Sequence, residues 1–203
     1  MDYLKLLEIL AAPKQGNKPN FEKQHVLLLL DLLSTEQPLG RISIMKRLNL
    51  TEATVKTLLK RLRKEQIIEV DRIGGARLSE KGIELLNYIK SNFKIVEKDL
   101  KSIKWEGNLI LLKKKSYILN NIGLINLRDQ IIKFGADKVL IARVMENGEV
   151  EIPPFKKEEI MDLLLELEGI CRELHCENTD LIIYLVPANK LIAYKVALEI
   201  LKL

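Results

Sequence analysis

The run LNLTEATVKTLLKRLRKEQIIEVDRIGGARLSEKG, residues 48–82, changes its hydrophobic period midway. In the first half Val55, Leu58, Leu59 and Leu62 recur at spacings of three and four, which places them on one face of an α-helix. Asn49-Leu50 before it reads as a tight turn, Thr51 as the capping residue, and Glu52 puts a carboxylate at the positive end of the helix dipole. The helix is expected to end near Glu65. Residues 67–72 then read as a strand, Gly74-Gly75 as a two-residue hairpin turn and residues 76–78 as the returning strand. Ser79 and Glu80 open another helix.

Toward the N-terminus, residues 41–48 form a shorter helix with Ile42, Ile44, Met45 and Leu48 apolar, set off by the Pro38-Leu39-Gly40 break. Residues 21–33 carry a core stripe of Val26, Leu27, Leu30 and Leu33. Three helices, a hairpin and a fourth helix are the order of a winged helix-turn-helix, expected over residues 21–93. Residues 1–20 are expected to hold a short amphipathic helix (3–10) and a linker, PKQGNKPN.

Residues 48–82 resemble the recognition helix, wing and wing exit of MarR-type winged-helix regulators, both in apolar spacing and in the Leu-Ser-x-Lys-Gly exit at 78–82. Those proteins usually have glycine where this chain has Gln66, so the helix end is expected to be looser or shifted here. The resemblance implies double-stranded DNA as partner and transcriptional regulation as function.

Charge points the same way. Residues 41–64 hold Arg41, Lys46, Arg47, Lys56, Lys60, Arg61, Arg63 and Lys64 against Glu52 alone, whereas residues 151–203 hold six basic and ten acidic residues. A merely soluble surface mixes the signs, so a basic first half suggests a polyanion partner. Helix position puts Thr51, Glu52, Lys56 and Thr57 toward base edges, with Lys56 a donor to guanine and Glu52 an acceptor from cytosine, and Thr54 on the same polar face is counted with the DNA-binding residues. Lys60, Arg61 and Lys64 are assigned to phosphates, Arg72 and Arg77 to the wing tip, and Arg41 is counted as DNA-binding.

The helix leaving the wing continues Leu86, Ile89, Phe93, Val96, Leu100 and Ile103 at alternating intervals of three and four. That is a heptad seam, expected to run through residues 94–104 as a linker helix and to pair in a homodimer, or else to be covered by the C-terminal half of the chain.

Residues 105–203 read as a small α/β domain in the order β-α-β-β-α-β-α, making the whole chain α+β. The strands are 108–112, 139–145, 149–152 and 181–186, the last apolar on both faces and therefore interior. Asn147-Gly148 marks a hairpin. The helices are 127–134, capped by Asn126 and closed by Gly135, then 157–174, and a last one capped by Asn189. The run LRDQIIKFGADKVLI (127–141) is similar to archaeal winged-helix proteins with an uncharacterised C-terminal α/β domain, a resemblance that implies no activity.

Two cysteines, Cys171 and Cys176, make no disulfide framework and suit a reducing compartment. The N-terminus lacks signal-peptide features and no apolar run reaches membrane-helix length, so a cytoplasmic protein is expected. Cys171, His175 and Cys176 fall short of a zinc ligand set, and the cysteines read as two buried or half-buried thiols. The Lys113-Lys114-Lys115 run reads as a solvated strand end. No phosphate loop, nucleophile elbow or dinucleotide fingerprint is present, so neither catalytic residue nor cofactor is assigned. The reading is a dimeric DNA-binding regulator whose C-terminal domain senses a small-molecule effector or binds a partner. The alternatives are an enzyme in that domain with an accessory winged helix, or an assembly factor that binds protein or RNA.

Overall fold

The computed structural model describes residues 2–13, 19–71 and 74–203, and the chain divides into two compact units, Met1–Lys90 and Ser91–Leu203.

The first unit is a winged helix-turn-helix with one additional helix. It comprises α1 (Tyr3–Ala11), α2 (Lys23–Glu36), α3 (Arg41–Leu48), α4 (Glu52–Lys64), β1 (Ile68–Asp71), β2 (Gly75–Leu78) and most of α5 (Glu80–Asn92). α1 is no appendage, because Leu6, Leu7 and Leu10 are buried with the α2 stripe. Between α3 and α4, Asn49 takes the left-handed conformation (φ 51°) and Leu50 N–H donates to the Met45 carbonyl at 3.1 Å. This closes the helix ladder and turns the chain into the Thr51 cap.

The glycine pair does not form the hairpin turn. Gly75 belongs to β2, paired with Asp71, rather than to the turn. Leu39 and Ala76 exchange main-chain hydrogen bonds of 2.9 and 2.8 Å, adding a bridge to the hairpin. A Cβ on Gly75 would stand 2.5 Å from the Leu39 carbonyl oxygen, and its φ is +93°; only glycine fits.

The Leu-Ser-x-Lys-Gly exit fastens the end of α4. Ser79 Oγ donates to the Gln66 carbonyl at 2.6 Å and accepts from Gly82 N–H at 3.1 Å, while Lys81 Nζ donates to the Glu65 carbonyl at 2.8 Å. A Cβ at position 82 would lie 2.1 Å from the Ile67 carbonyl oxygen, so α5 seats against that backbone only through glycine. The α4 end is not loose despite lacking glycine. Gln66 itself adopts φ 58°, with Gln66 N–H on the Arg63 carbonyl (3.0 Å) and Ile67 N–H on the Leu62 carbonyl (2.9 Å), the two bonds of a Schellman cap.

The second unit contains β3 (Phe93–Leu100), β4 (Trp105–Leu112), α6 (Ile118–Ile122), α7 (Leu124–Lys133), β5 (Lys138–Val144), β6 (Val150–Glu151), α8 (Met161–Leu174), β7 (Leu181–Val186) and α9 (Lys190–Leu201). Its five strands lie in the order β3-β4-β7-β5-β6, and every pairing is antiparallel. β7 is central and buried, as its two-sided apolarity requires. The order expected for residues 105–203 holds, with α6 added. α7 begins three residues earlier than Leu127, and Asn126 caps nothing there: its amide donates back to the Ile122 carbonyl at 2.8 Å.

The heptad helix does not form. α5 stops at Asn92, and residues 93–100 are β3, aligned with β4 from Phe93↔Leu112 to Leu100↔Trp105. The turn between these strands is held by Glu166 of α8, whose carboxylate accepts from Lys101 N–H (2.7 Å), Ser102 N–H (3.0 Å) and Ser102 Oγ (2.6 Å). The seam residues therefore cannot form one dimer stripe. Leu86 and Ile89 are buried on α5, Phe93 and Leu100 are buried in β3, and Val96 and Ile103 pack on the core between the sheet and α8.

Candidate nucleic-acid interface

α4 presents two kinds of polar residue, and burial separates them. Counting from Lys56, positions 60, 63 and 64 fall on the same side of the helix. There Lys56, Lys60, Arg63 and Lys64 are exposed, and with Arg41, Leu59 and Val70 they line a shallow depression of about 420 Å³. Among the described residues Lys60, Arg63 and Lys64 have no ion-pair partner. Arg63, which the sequence reading left without a contact role, thus joins the site.

Glu52 sits at the edge of this surface and neutralises part of it. Its carboxylate lies 3.0 Å from Lys56 Nζ and 3.2 Å from Arg41 Nη1. Lys56 first, and then Arg41, hold its carboxyl below the ordinary glutamate value. Two cations assigned to DNA are therefore shared with a carboxylate. Thr51 and Thr57 are exposed as expected, Thr57 Oγ1 donating to the Ala53 carbonyl at 3.0 Å. On the wing, Arg77 is exposed but paired with Glu69 at 3.0 Å. Arg72 lies outside the described residues.

Two expected contacts are excluded. Thr54 is buried, its hydroxyl 2.8 Å from that of Thr51. Arg61 is 8% exposed and turned inward. Its Nη1 donates to the carbonyls of Leu10 (2.7 Å) and Ala12 (2.6 Å), and its guanidinium lies 5.5 Å from the centroid of the Phe21 ring. The last carbonyls of α1 have no helical partner, and a cation satisfies them. The signal was available in the sequence: Arg61 lies three residues after Leu58 and seven after Thr54, on the inward side of the same helix.

In the second unit a depression of about 870 Å³ opens between α8, the β5–β6 turn and the loop after α8. Met161, Leu164 and Val150 make its apolar wall, while Glu149, Lys157, Glu168, Arg172 and His175 supply polar groups. Glu149 and Lys157 pair at 2.8 Å, an exposed contact that lowers the carboxyl pKa and raises that of the amine. Among the described residues no three His, Cys, Asp or Glu side chains converge as a metal site, and no helix is long and apolar enough to cross a membrane. The lysine run is not a solvated end. Lys113 Nζ lies 3.0 Å from the fully buried Asp180 carboxylate, and Lys114 N–H donates to the same carboxylate at 2.9 Å.

Residues 24–84 match the family model described as PH0730-like, N-terminal domain, and residues 103–202 match DUF4443, a domain of unknown function. None of the curated proteins matches the chain. Among solved structures, hypothetical protein PH0730 from Pyrococcus horikoshii OT3 is 28% identical, with a TM-score of 0.64 over 89% of this chain and 91% of that one. None of these names a MarR-type regulator. The chain is thus similar, over most of its length, to an archaeal hypothetical protein, and its two units match two separate family models.

Proposed function

We propose that this protein is a DNA-binding transcriptional regulator of the MarR-like winged-helix type, acting in the cytoplasm, with α4 as its recognition helix. The observation that carries the reading is the open cationic stripe of Lys60, Arg63 and Lys64, extended by Lys56 and Arg41 around a shallow depression. An apolar or acidic face would have favoured a protein-binding role, whereas unpaired cations on a helix suit phosphates. Thr51, Lys56 and Thr57, near the helix N-terminus, are the candidates for base edges.

The second unit is read as the sensor, its 870 Å³ depression taking an amphipathic small molecule against Met161 and Leu164. A catalytic reading of the same depression is less supported, since Glu149 and Lys157 neutralise each other at its rim.

Fluorescence anisotropy with genomic fragments tests the DNA assignment. Three to five phosphate contacts per chain predict a fall in affinity of roughly 40- to 500-fold between about 50 and about 200 mM salt. The double substitution Lys56→Ala with Lys60→Ala is expected to abolish specific binding while the domain stays folded. Full affinity in that variant, or a flat salt dependence, overturns the assignment.

A further inference from the structure

α8 ends in a reversal that brings the two cysteines together. His175 takes the left-handed conformation (φ 55°, ψ 55°), and Cys176 N–H donates to the Cys171 carbonyl at 2.9 Å. This cap commonly brings the side chains at the two ends of that bond to the same side, and here the ends are Cys171 and Cys176. If α8 ran on as a helix, Cys176 would point away. Instead the reversal turns Cys176 back toward Cys171, and the Cys171 thiol is the leading influence on its acidity. Both are free, Cys171 buried and Cys176 half-buried, and both line the 870 Å³ depression.

Two ammonium groups approach the same helix end. Lys94 Nζ donates to the Leu174 carbonyl and Lys113 Nζ to the His175 carbonyl, each at 3.1 Å. The Cys171 thiol, aided by the charges of Lys113 and Lys94, pulls the Cys176 thiol down against its burial and the nearby Asp180 carboxylate. Cys176 in turn, together with burial, pushes the Cys171 thiol up and keeps it protonated. One sulfur is thus prepared to attack and its neighbour to follow.

We propose that Cys171 and Cys176 form a redox modification site, at which a low-molecular-weight disulfide entering the depression is exchanged for an intramolecular one. Cys176 Sγ, as thiolate, attacks one sulfur of the reagent, forming a mixed disulfide and expelling the other half as a thiolate. Cys171 gives its proton to that thiolate and attacks Cys176 Sγ, expelling the second half, which takes a proton from water. Two protein thiols are oxidised by two electrons, and one disulfide is reduced to two small thiols.

The test treats the full-length chain with oxidised glutathione, traps remaining thiols with N-ethylmaleimide and maps the peptides by mass. The wild type is expected to lose two hydrogen masses through a link between residues 171 and 176, restored by dithiothreitol. Cys171→Ser is expected to stop at a glutathione adduct on Cys176, and Cys176→Ser to leave Cys171 unmodified. In the untreated wild type, Cys176 should alkylate several-fold faster than Cys171. A wild type that keeps both thiols free, or that stops at the adduct as Cys171→Ser does, overturns the proposal. None of these outcomes depends on whether α4 binds DNA.

Discussion

Arg61 of α4 donates to the main-chain carbonyl of Leu10 at 2.7 Å, so a residue that composition assigns to DNA instead fastens the first helix of the domain to the fourth. The pair splits the basic residues of α4 into one that holds the fold and a stripe left open to solvent.

Replacing Arg61 with Ala removes two charge-assisted hydrogen bonds, a ring contact and a cation that satisfies the end of α1. The expected loss is about 3 kcal/mol of unfolding free energy, read as a lowered urea midpoint. Lys60→Ala, on the open face, should leave the midpoint near wild type and weaken DNA binding. Equal stability losses in the two variants would contradict the assignment.

Glu52 restrains the cationic surface through Lys56 and Arg41. Glu52→Gln should free both, strengthening non-specific DNA binding and making the slope of log affinity against log salt more negative by about 1 to 2. Because the folded carboxyl is held below its ordinary value, its contribution to stability is present at neutral pH. That contribution fades as pH falls through the lowered value. The carboxylate is exposed, so this effect should be small and should shrink further in high salt. Unchanged salt dependence in Glu52→Gln would show that the two cations do not reach DNA.

Gln66 occupies a left-handed position where a side chain is strained. Gln66→Gly should relieve that strain with the Schellman bonds intact, raising stability by about 1 kcal/mol after the entropy glycine adds to the unfolded chain. Thermal melting measures this, and a destabilised variant would mean that the Gln66 side chain contributes more than its exposure suggests.

His25 Nδ1 accepts the Glu22 N–H at 3.0 Å, which requires an unprotonated nitrogen. Burial pushes the imidazole below its ordinary value, against the opposing pull of Glu22. The unfolded state therefore binds the proton first. Stability should be fully present above the ordinary histidine range and decline as pH falls from about 7 toward about 5. Urea unfolding across that range should show a decline that His25→Gln reduces. A decline of the same size in the variant would place its origin elsewhere.

Some of this architecture follows from local chemistry, and that part is written in the sequence. The period of α4, the Thr51 and Asn189 caps, the Leu-Ser-x-Lys-Gly exit, the Asn147-Gly148 hairpin and the two-sided apolarity of β7 depend on residues a few positions apart, so the winged helix and most of the second unit can be read directly. Residues 93–104 are different. Their three-and-four spacing favours a helix, and the strand is selected instead by β4 as a pairing partner and by Glu166, more than sixty residues away, holding the turn. The two cysteines were likewise legible only as thiols, because their meeting depends on His175 reversing the chain. The inward position of Arg61 follows from its spacing after Leu58, but what allows a cation to be buried there was settled by tertiary packing, since the α1 carbonyls that bind it lie about fifty positions earlier in the chain. Periodicity records a residue's neighbours along the backbone, whereas strand pairing and burial depend on groups that only folding brings near.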